Sequence, residues 1–237
     1  MAKPSGQYRV QVTWLWRAAF RLVSPEGRII FIDPWLKGNP MCPTEYKDLD
    51  KLEADMILFT HCHYDHEGDT AEIAKKTGAT VIAIVDLMES LRQKDVDAGQ
   101  IVPLSYGGTA QVAEITVSMV PAWHTSLPSV GFIVGFSSNF KVYHLGDTCL
   151  FSDMSLIKAL HEPQLILVPV GGTYTMDDYA ASLACRNYLQ PQYVIPMHYP
   201  AQPHDTSPSD CAEKFRLHMQ GSGTEVIVAR PGETINF

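Results

Sequence analysis

Short apolar runs bounded by turn residues dominate the chain, and such runs predict strands. Three come early, near Tyr8 to Leu15, Ala18 to Val23 and Arg28 to Ile32, the last two joined by the turn Ser24-Pro25-Glu26-Gly27. A fourth, Met56-Ile57-Leu58-Phe59, is followed by Glu67 to Lys76, whose pattern predicts a helix. Lys75 and Lys76 suit a helix C-terminus, and Gly78 closes it. Further strands are predicted near Val81 to Ile84, Thr116 to Val120, Gly131 to Phe136, Lys141 to Leu145 and Gln192 to Ile195. Thr175 reads as a helix cap with Asp177 and Asp178 in the first turn, Ser209 to Met219 as a late helix, and Glu225 to Ala229 as a strand. This alternation is that of an α/β (α+β) protein, two sheets packed face to face with helices outside.

Composition narrows the class. With 237 residues and 46% hydrophobic content the chain can bury one sizeable core, which predicts a single domain over residues 1–237. Eighteen basic against 26 acidic residues leave a net charge of −8, a poor match to phosphate backbones. Nucleic acid is therefore not an expected partner, a small-molecule substrate is, and a homo-oligomer is compatible. Cys42, Cys62, Cys149, Cys185 and Cys211 are odd in number and show no C-x-x-C spacing, so they read as reduced thiols of a cytoplasmic protein. The N-terminal residues lack an apolar leader, and the most apolar run, Leu165 to Val170, is too short to span a bilayer. Stable membrane insertion is not expected.

The chemistry concentrates after the fourth strand. Thr60-His61-Cys62-His63-Tyr64-Asp65-His66 places three imidazoles and a carboxylate within six residues. Imidazole nitrogen and carboxylate oxygen are ligands for zinc, iron and manganese in hydrolytic sites. His61 and His63 can turn toward one metal while Asp65 and His66 reach a second. His124, Asp147 and His198 each close a later predicted strand, where α/β proteins gather functional side chains on a rigid frame.

Taken in order, His61, His63, Asp65, His66, His124, Asp147 and His198 form a series that resembles the metallo-β-lactamase fold hydrolases. Within them the chain is most similar to metal-dependent hydrolases related to ascorbate-phosphate lactonase and N-acyl-phosphatidylethanolamine phospholipase D. Val12-Thr13-Trp14-Leu15, Ile32-Asp33-Pro34-Trp35, Gly38-Asn39-Pro40, Tyr143-His144-Leu145-Gly146-Asp147-Thr148, Pro169-Val170-Gly171-Gly172 and Ile195-Pro196-Met197-His198-Tyr199 carry the likeness across nearly the whole chain. It implies a four-layer αββα sandwich. It also implies two divalent metal ions, Zn2+ foremost, with Mn2+, Ni2+ and Fe2+ compatible. His61, His63 and His124 would hold the first and Asp65, His66 and His198 the second, with Asp147 bridging. Two cations sharing a water lower its pKa from about 15.7 toward 7. The resemblance thus implies hydrolysis of an ester, lactone or phosphodiester of a small anionic metabolite, with Asp65 and Asp147 as catalytic carboxylates and Asp65 orienting the nucleophile or taking its proton. A mono-iron oxidoreductase of the sulfur dioxygenase type is the alternative on the same fold.

Asp33 reads equally as an acceptor for the spare N–H of a ligating histidine and as an ordinary strand-ending turn. His144 would point away from the metals, into the sandwich. Three departures bear on substrate choice: Trp16-Arg17 replaces the relatives' Gly-His, Cys62 stands between ligands, and Tyr199-Pro200-Ala201-Gln202-Pro203 stiffens the segment after the last ligand. Arg17 would offer a charged planar fork to a carboxylate or phosphate, or else is a solvated turn residue. His204 reads as a surface or entrance residue, and His161 and His218 lie on helical segments without a role.

Overall fold

A computed structural model describes residues 10–126, 128–199 and 210–237. It contains two seven-stranded sheets. Strands β1 (Gln11–Trp14), β2 (Phe20–Val23), β3 (Ile29–Ile32), β4 (Met56–Leu58), β5 (Thr80–Ile84) and β6 (Ile101–Leu104) lie side by side in chain order in the first. The second runs in reverse chain order through β7 (Thr109–Val112), β8 (Ile115–Pro121), β9 (Val130–Gly135), β10 (Lys141–His144), β11 (Leu165–Pro169), β12 (Tyr193–Met197) and β13 (Glu225–Val226). The final strand, β14 (Thr234–Asn236), returns to pair antiparallel with β1.

Each sheet divides the same way. Strands β3 to β6 are parallel, and so are β10 to β13, while the remaining neighbours are antiparallel. Parallel neighbours need crossover connections. Helices α1 (Tyr64–Glu67) and α2 (Thr70–Thr77) follow β4, and α3 (Met88–Gln93) follows β5. In the second half α4 (Met154–His161) follows β10, α5 (Asp178–Leu183) follows β11 and α6 (Asp210–His218) follows β12. This is the αββα sandwich.

Side-chain pattern explains which strands are central. Every residue of β9 and β11 is buried, because one face meets the other sheet and the other face meets helices. The edge strand β7 alternates exposed with half-buried positions, and β14 is likewise half exposed. Trp14, Phe20, Phe31, Phe59, Phe132 and Tyr143 are fully buried between these layers. Burying a side chain of Phe size contributes about 1.5–3 kcal/mol.

Several sequence expectations shift. The helix expected over Glu67 to Lys76 is two helices, broken at Gly68, where φ is +46° and a Cβ would lie 2.6 Å from the Pro34 carbonyl oxygen. Only glycine fits that conformation and that approach. Asp69 turns away from α2 to accept the N–H groups of Leu36 and Lys37 at 2.8 and 2.9 Å. Asp177, not Thr175, caps α5, its carboxylate accepting the Ala180 N–H at 2.7 Å. The strand expected to reach Ala229 ends at Val226. Pro200 to Pro203 and His204 lie outside the described residues, as does the start of the first expected strand. Among the described residues no helix is long and apolar enough to cross a membrane.

Candidate metal centre

Strand ends deliver the site. After β4 the chain runs through His61 and His63, and His63 is the residue from which α1 starts. That single helical turn sets Asp65 and His66 beside them, with the His66 N–H donating to the His63 carbonyl at 3.0 Å. His124 follows β8, Asp147 follows β10 and His198 follows β12. Gly171 lets the last loop close in, because a Cβ there would stand 2.1 Å from the His198 carbonyl oxygen.

The seven side chains converge in two groups. In the first, His61, His63, His124 and Asp147 bring one donor atom each to within 4.8 Å of one another; in the second, Asp65, His66 and His198 do the same. His63 Nδ1 is 3.0 Å from His61 Nε2 and 3.2 Å from His124 Nε2. His66 Nε2 and His198 Nε2 are 3.2 Å apart, and Asp65 Oδ2 is 3.5 Å from His198 Nε2. A cation bound at about 2.1 Å by tetrahedral nitrogens would separate them by about 3.4 Å, close to these spacings. Asp147 Oδ2 stands between the groups, 3.4 Å from His66 Nε2, 3.3 Å from His198 Nε2 and 3.6 Å from His124 Nε2. Its other oxygen is buried without a hydrogen-bond partner. A buried carboxylate left so is costly, and a divalent cation would satisfy it.

Behind these atoms, Asp33 organises two of the rings. It is fully buried, accepting the Thr60 N–H at 2.8 Å on Oδ1, and on Oδ2 the Thr60 hydroxyl at 2.6 Å and His66 Nδ1–H at 2.7 Å. Because the Thr60 hydroxyl donates to Asp33, it accepts from His61 Nδ1 at 3.0 Å. His61 and His66 therefore donate through Nδ1 and turn Nε2 into the site, where a cation would take the place of any proton His66 holds there. His144 is buried outside both groups. Gly146 N–H donates to its Nδ1 at 3.1 Å, so Nε2–H donates to the Ala18 carbonyl at 2.9 Å.

Electrostatics follow from burial. Burial pushes His61 down to about 2, with the neighbouring His66 adding to it, and burial also lowers His124. Burial opposes charge on Asp65 too, but the His198 hydrogen bond and the charges of His66 and His198 outweigh it and hold it at about 2. Asp147 lies below the usual carboxylate range because His66 and His198 outweigh its burial. His66 is raised well above an ordinary histidine, its burial overcome by Asp147 and Asp33. Ionised carboxylates beside neutral His61 and His124 make a donor set suited to a cation.

Arg17 reaches this site from the β1–β2 turn. Together with Tyr64, Tyr174 and the ligand-type residues His63, Asp65, His124, Asp147 and His198, it lines a cavity of about 260 Å³. Arg17 is half buried and, among the described residues, has no carboxylate within ion-pair distance. Cys62 is exposed, its Sγ 3.3 Å from Ser126 Oγ, and does not line the cavity. His161 is half buried on α4, and the exposed His218 pairs with Asp178 at 3.1 Å. Sequence reasoning missed Thr60, Tyr64 and Tyr174. The first two stand inside the histidine-rich run itself, and that position was the available signal.

Comparison with known proteins follows the same lines. A family model described as beta-lactamase superfamily domain matches residues 28–199. A UPF0173 metal-dependent hydrolase of Chloroflexus aurantiacus is 36% identical over 239 residues, covering 96% of this chain and 97% of its own length. One from Archaeoglobus fulgidus is 39% identical over 245 residues, covering 96% and 99%. The solved structure of Igni18, a metallo hydrolase from the archaeon Ignicoccus hospitalis, superposes with a TM-score of 0.82 at 34% identity, covering 96% and 98%. CmlA, a diiron β-hydroxylase from Streptomyces venezuelae, gives 0.76 at 15% identity and covers 99% of this chain and 55% of its own, a likeness of fold alone.

Proposed function

The chain belongs to the beta-lactamase superfamily as a metal-dependent hydrolase, and from that premise we propose a dinuclear centre, with zinc as its metal, that hydrolyses an ester, lactone or phosphodiester of a small anionic metabolite. His61, His63 and His124 would hold one cation, Asp65, His66 and His198 the other, and Asp147 would bridge. The position of Asp147 Oδ2, within 3.6 Å of imidazole nitrogens from both groups, carries this proposal. When bound, the cation pair supplies an activated water as nucleophile and a Lewis acid for the carbonyl or phosphoryl oxygen.

The chain's own residues do the rest. Asp33 fixes His66 directly and His61 through Thr60, so both rings are oriented before any ligand arrives. The Asp65 carboxylate, with one oxygen 3.5 Å from His198 Nε2, would use its other oxygen to orient the nucleophile or take its proton. Arg17 holds the substrate's carboxylate or phosphate away from the reacting bond. Five free thiols suit a reducing compartment, and we assign the reaction to the cytoplasm.

The test pairs elemental analysis of the purified chain with a panel of lactones, esters and phosphodiesters and an oxygen electrode. Two metal equivalents with hydrolytic turnover are expected. Full turnover at one equivalent, or substrate-dependent oxygen uptake, would overturn the proposal. Asp65→Asn should keep both metals and lose most of its turnover.

A further inference from the structure

Tyr64 and Tyr174 line the cavity, yet 73% and 76% of their surface faces water. Trp123, next to His124 in the chain, is 65% exposed. Aromatic side chains bury about 150–250 Å² each when covered, so the two tyrosines, which line one cavity and are left mostly in water, offer an apolar face to what enters it. Tyr64 has one aromatic neighbour among the described residues. It lies between His63 and Asp65 and packs edge-on against Trp35, ring centroids 5.5 Å apart at 88°. Tyr174 rides a turn closed by Gly172 N–H to the Met176 carbonyl at 3.0 Å and Thr175 N–H to the Gly172 carbonyl at 2.7 Å.

Size and charge select the occupant. A cavity of about 260 Å³ accommodates one ring with one head group. Its lining carries the carboxylates Asp65 and Asp147, which with the histidines suit the proposed cations, and one permanent cation, Arg17, which calls for an anion. A net charge of −8 works against an anionic bilayer as the surface that covers the tyrosines. We propose that the substrate is an aryl compound bearing one acid group: its ring lies against Tyr64 and Tyr174, its anionic group meets Arg17, and the bond to be cleaved is turned toward the histidines. This rests on the metal-centre assignment above and adds the aromatic half of the specificity.

Calorimetric titration of the zinc-loaded full chain with phenylphosphonate and methylphosphonate tests it. Both ligands share the anionic head, so their affinity ratio isolates the ring. The wild type should bind phenylphosphonate roughly tenfold tighter. The ratio should fall to about threefold or less in Tyr64→Ala/Tyr174→Ala, while Arg17→Ala weakens both ligands alike. Zinc content and circular dichroism unchanged in each variant establish that the fold is kept. Equal affinities in the wild type, or a ratio that survives the double substitution, would overturn the aryl proposal while leaving the metal centre standing. Binding of neither phosphonate by zinc-loaded protein would also overturn the aryl proposal, whereas a chain that takes up no zinc would sink the metal-centre assignment itself. A double variant that changes sedimentation but not the ratio would assign the tyrosines to self-association and overturn the proposal.

Discussion

Asp33→Asn perturbs the centre while leaving every proposed ligand in place. The side chains are nearly the same size, and asparagine tolerates the positive φ of +48° at this position. The difference lies in what the group can accept. Asp33 receives three hydrogen bonds, from the Thr60 N–H, the Thr60 hydroxyl and His66 Nδ1–H, at 2.8, 2.6 and 2.7 Å. An amide has one acceptor oxygen. If that oxygen keeps the Thr60 N–H, its NH2 faces the two remaining donors. The Thr60 hydroxyl can rotate and accept from it while still accepting from His61, but its own buried hydrogen then loses its partner. His66 must lose its partner or move its proton to Nε2, the atom that would bind the cation. A hydrogen bond to a charged group contributes about 1.5–3 kcal/mol. Loss of such a supporting partner lowers metal affinity about 10–100-fold, or about 1.4–2.8 kcal/mol, so the two scales agree. Competition against a chromophoric chelator resolves the two dissociation constants. The site of His66 and His198 should weaken by that factor, and the site of His61 by less, since Asp33 reaches it only through Thr60. A folded Asp33→Asn protein with both constants within twofold of wild type would refute the reasoning.

Asp147→Ala removes the oxygen between the groups and leaves two close cations to repel one another, so metal content should fall from two per chain to one or none; elemental analysis returning two would contradict the bridge. Arg17 has a φ of +52°, a conformation costing a non-glycine residue about 1–2 kcal/mol. Arg17→Gly should therefore unfold at higher urea than Arg17→Ala, by roughly 0.5–1 kcal/mol after glycine's own entropy cost, and an equal or reversed order would remove strain from the account. Chelating the metals should lower the melting temperature, the loss growing with the metal's excess over its dissociation constant and reaching about 2.7 kcal/mol at a hundredfold excess. An unchanged melt after chelation would mean that metal does not stabilise the fold.

How much of this was legible in the sequence depends on how local each constraint is. The His61, His63, Asp65 and His66 run was readable because ligation restricts residue type and the four lie within one strand end and one helical turn. His124, Asp147 and His198 were readable because each closes an apolar strand. Gly68 was not, since helical periodicity runs straight through it and only the approach of Pro34 and Trp35 demands its conformation. The partner of His144 is the Ala18 carbonyl, 126 residues away in sequence, which no local pattern announces. Tyr64 and Tyr174 escaped because an aromatic residue in a sequence suggests core, and only their exposure places them at the cavity.

The site's place in the fold ties these observations together. His61, His63, Asp65 and His66 follow a strand of the first sheet, while His124, Asp147 and His198 follow strands of the second. Each converging group therefore draws on both sheets, and neither could form on one alone. The backbone is pinned at the same seam. His198 N–H donates to the Arg17 carbonyl at 3.2 Å, Val130 N–H donates to the Thr60 carbonyl at 3.2 Å, and His144 reaches Ala18. Trp16, Arg17, Asp33 and His198, four of the nine non-glycine residues with positive φ among the described residues, all belong to this region. Such conformations persist only where surrounding contacts over-determine them. For Arg17 and His198 that contact joins the two sheets, while Asp33 is held within the first by Thr60 and His66, so part of the strain at the site shares its origin with the cohesion of the sandwich. A substitution that loosens the seam should then disturb both donor groups together, whichever residue it removes.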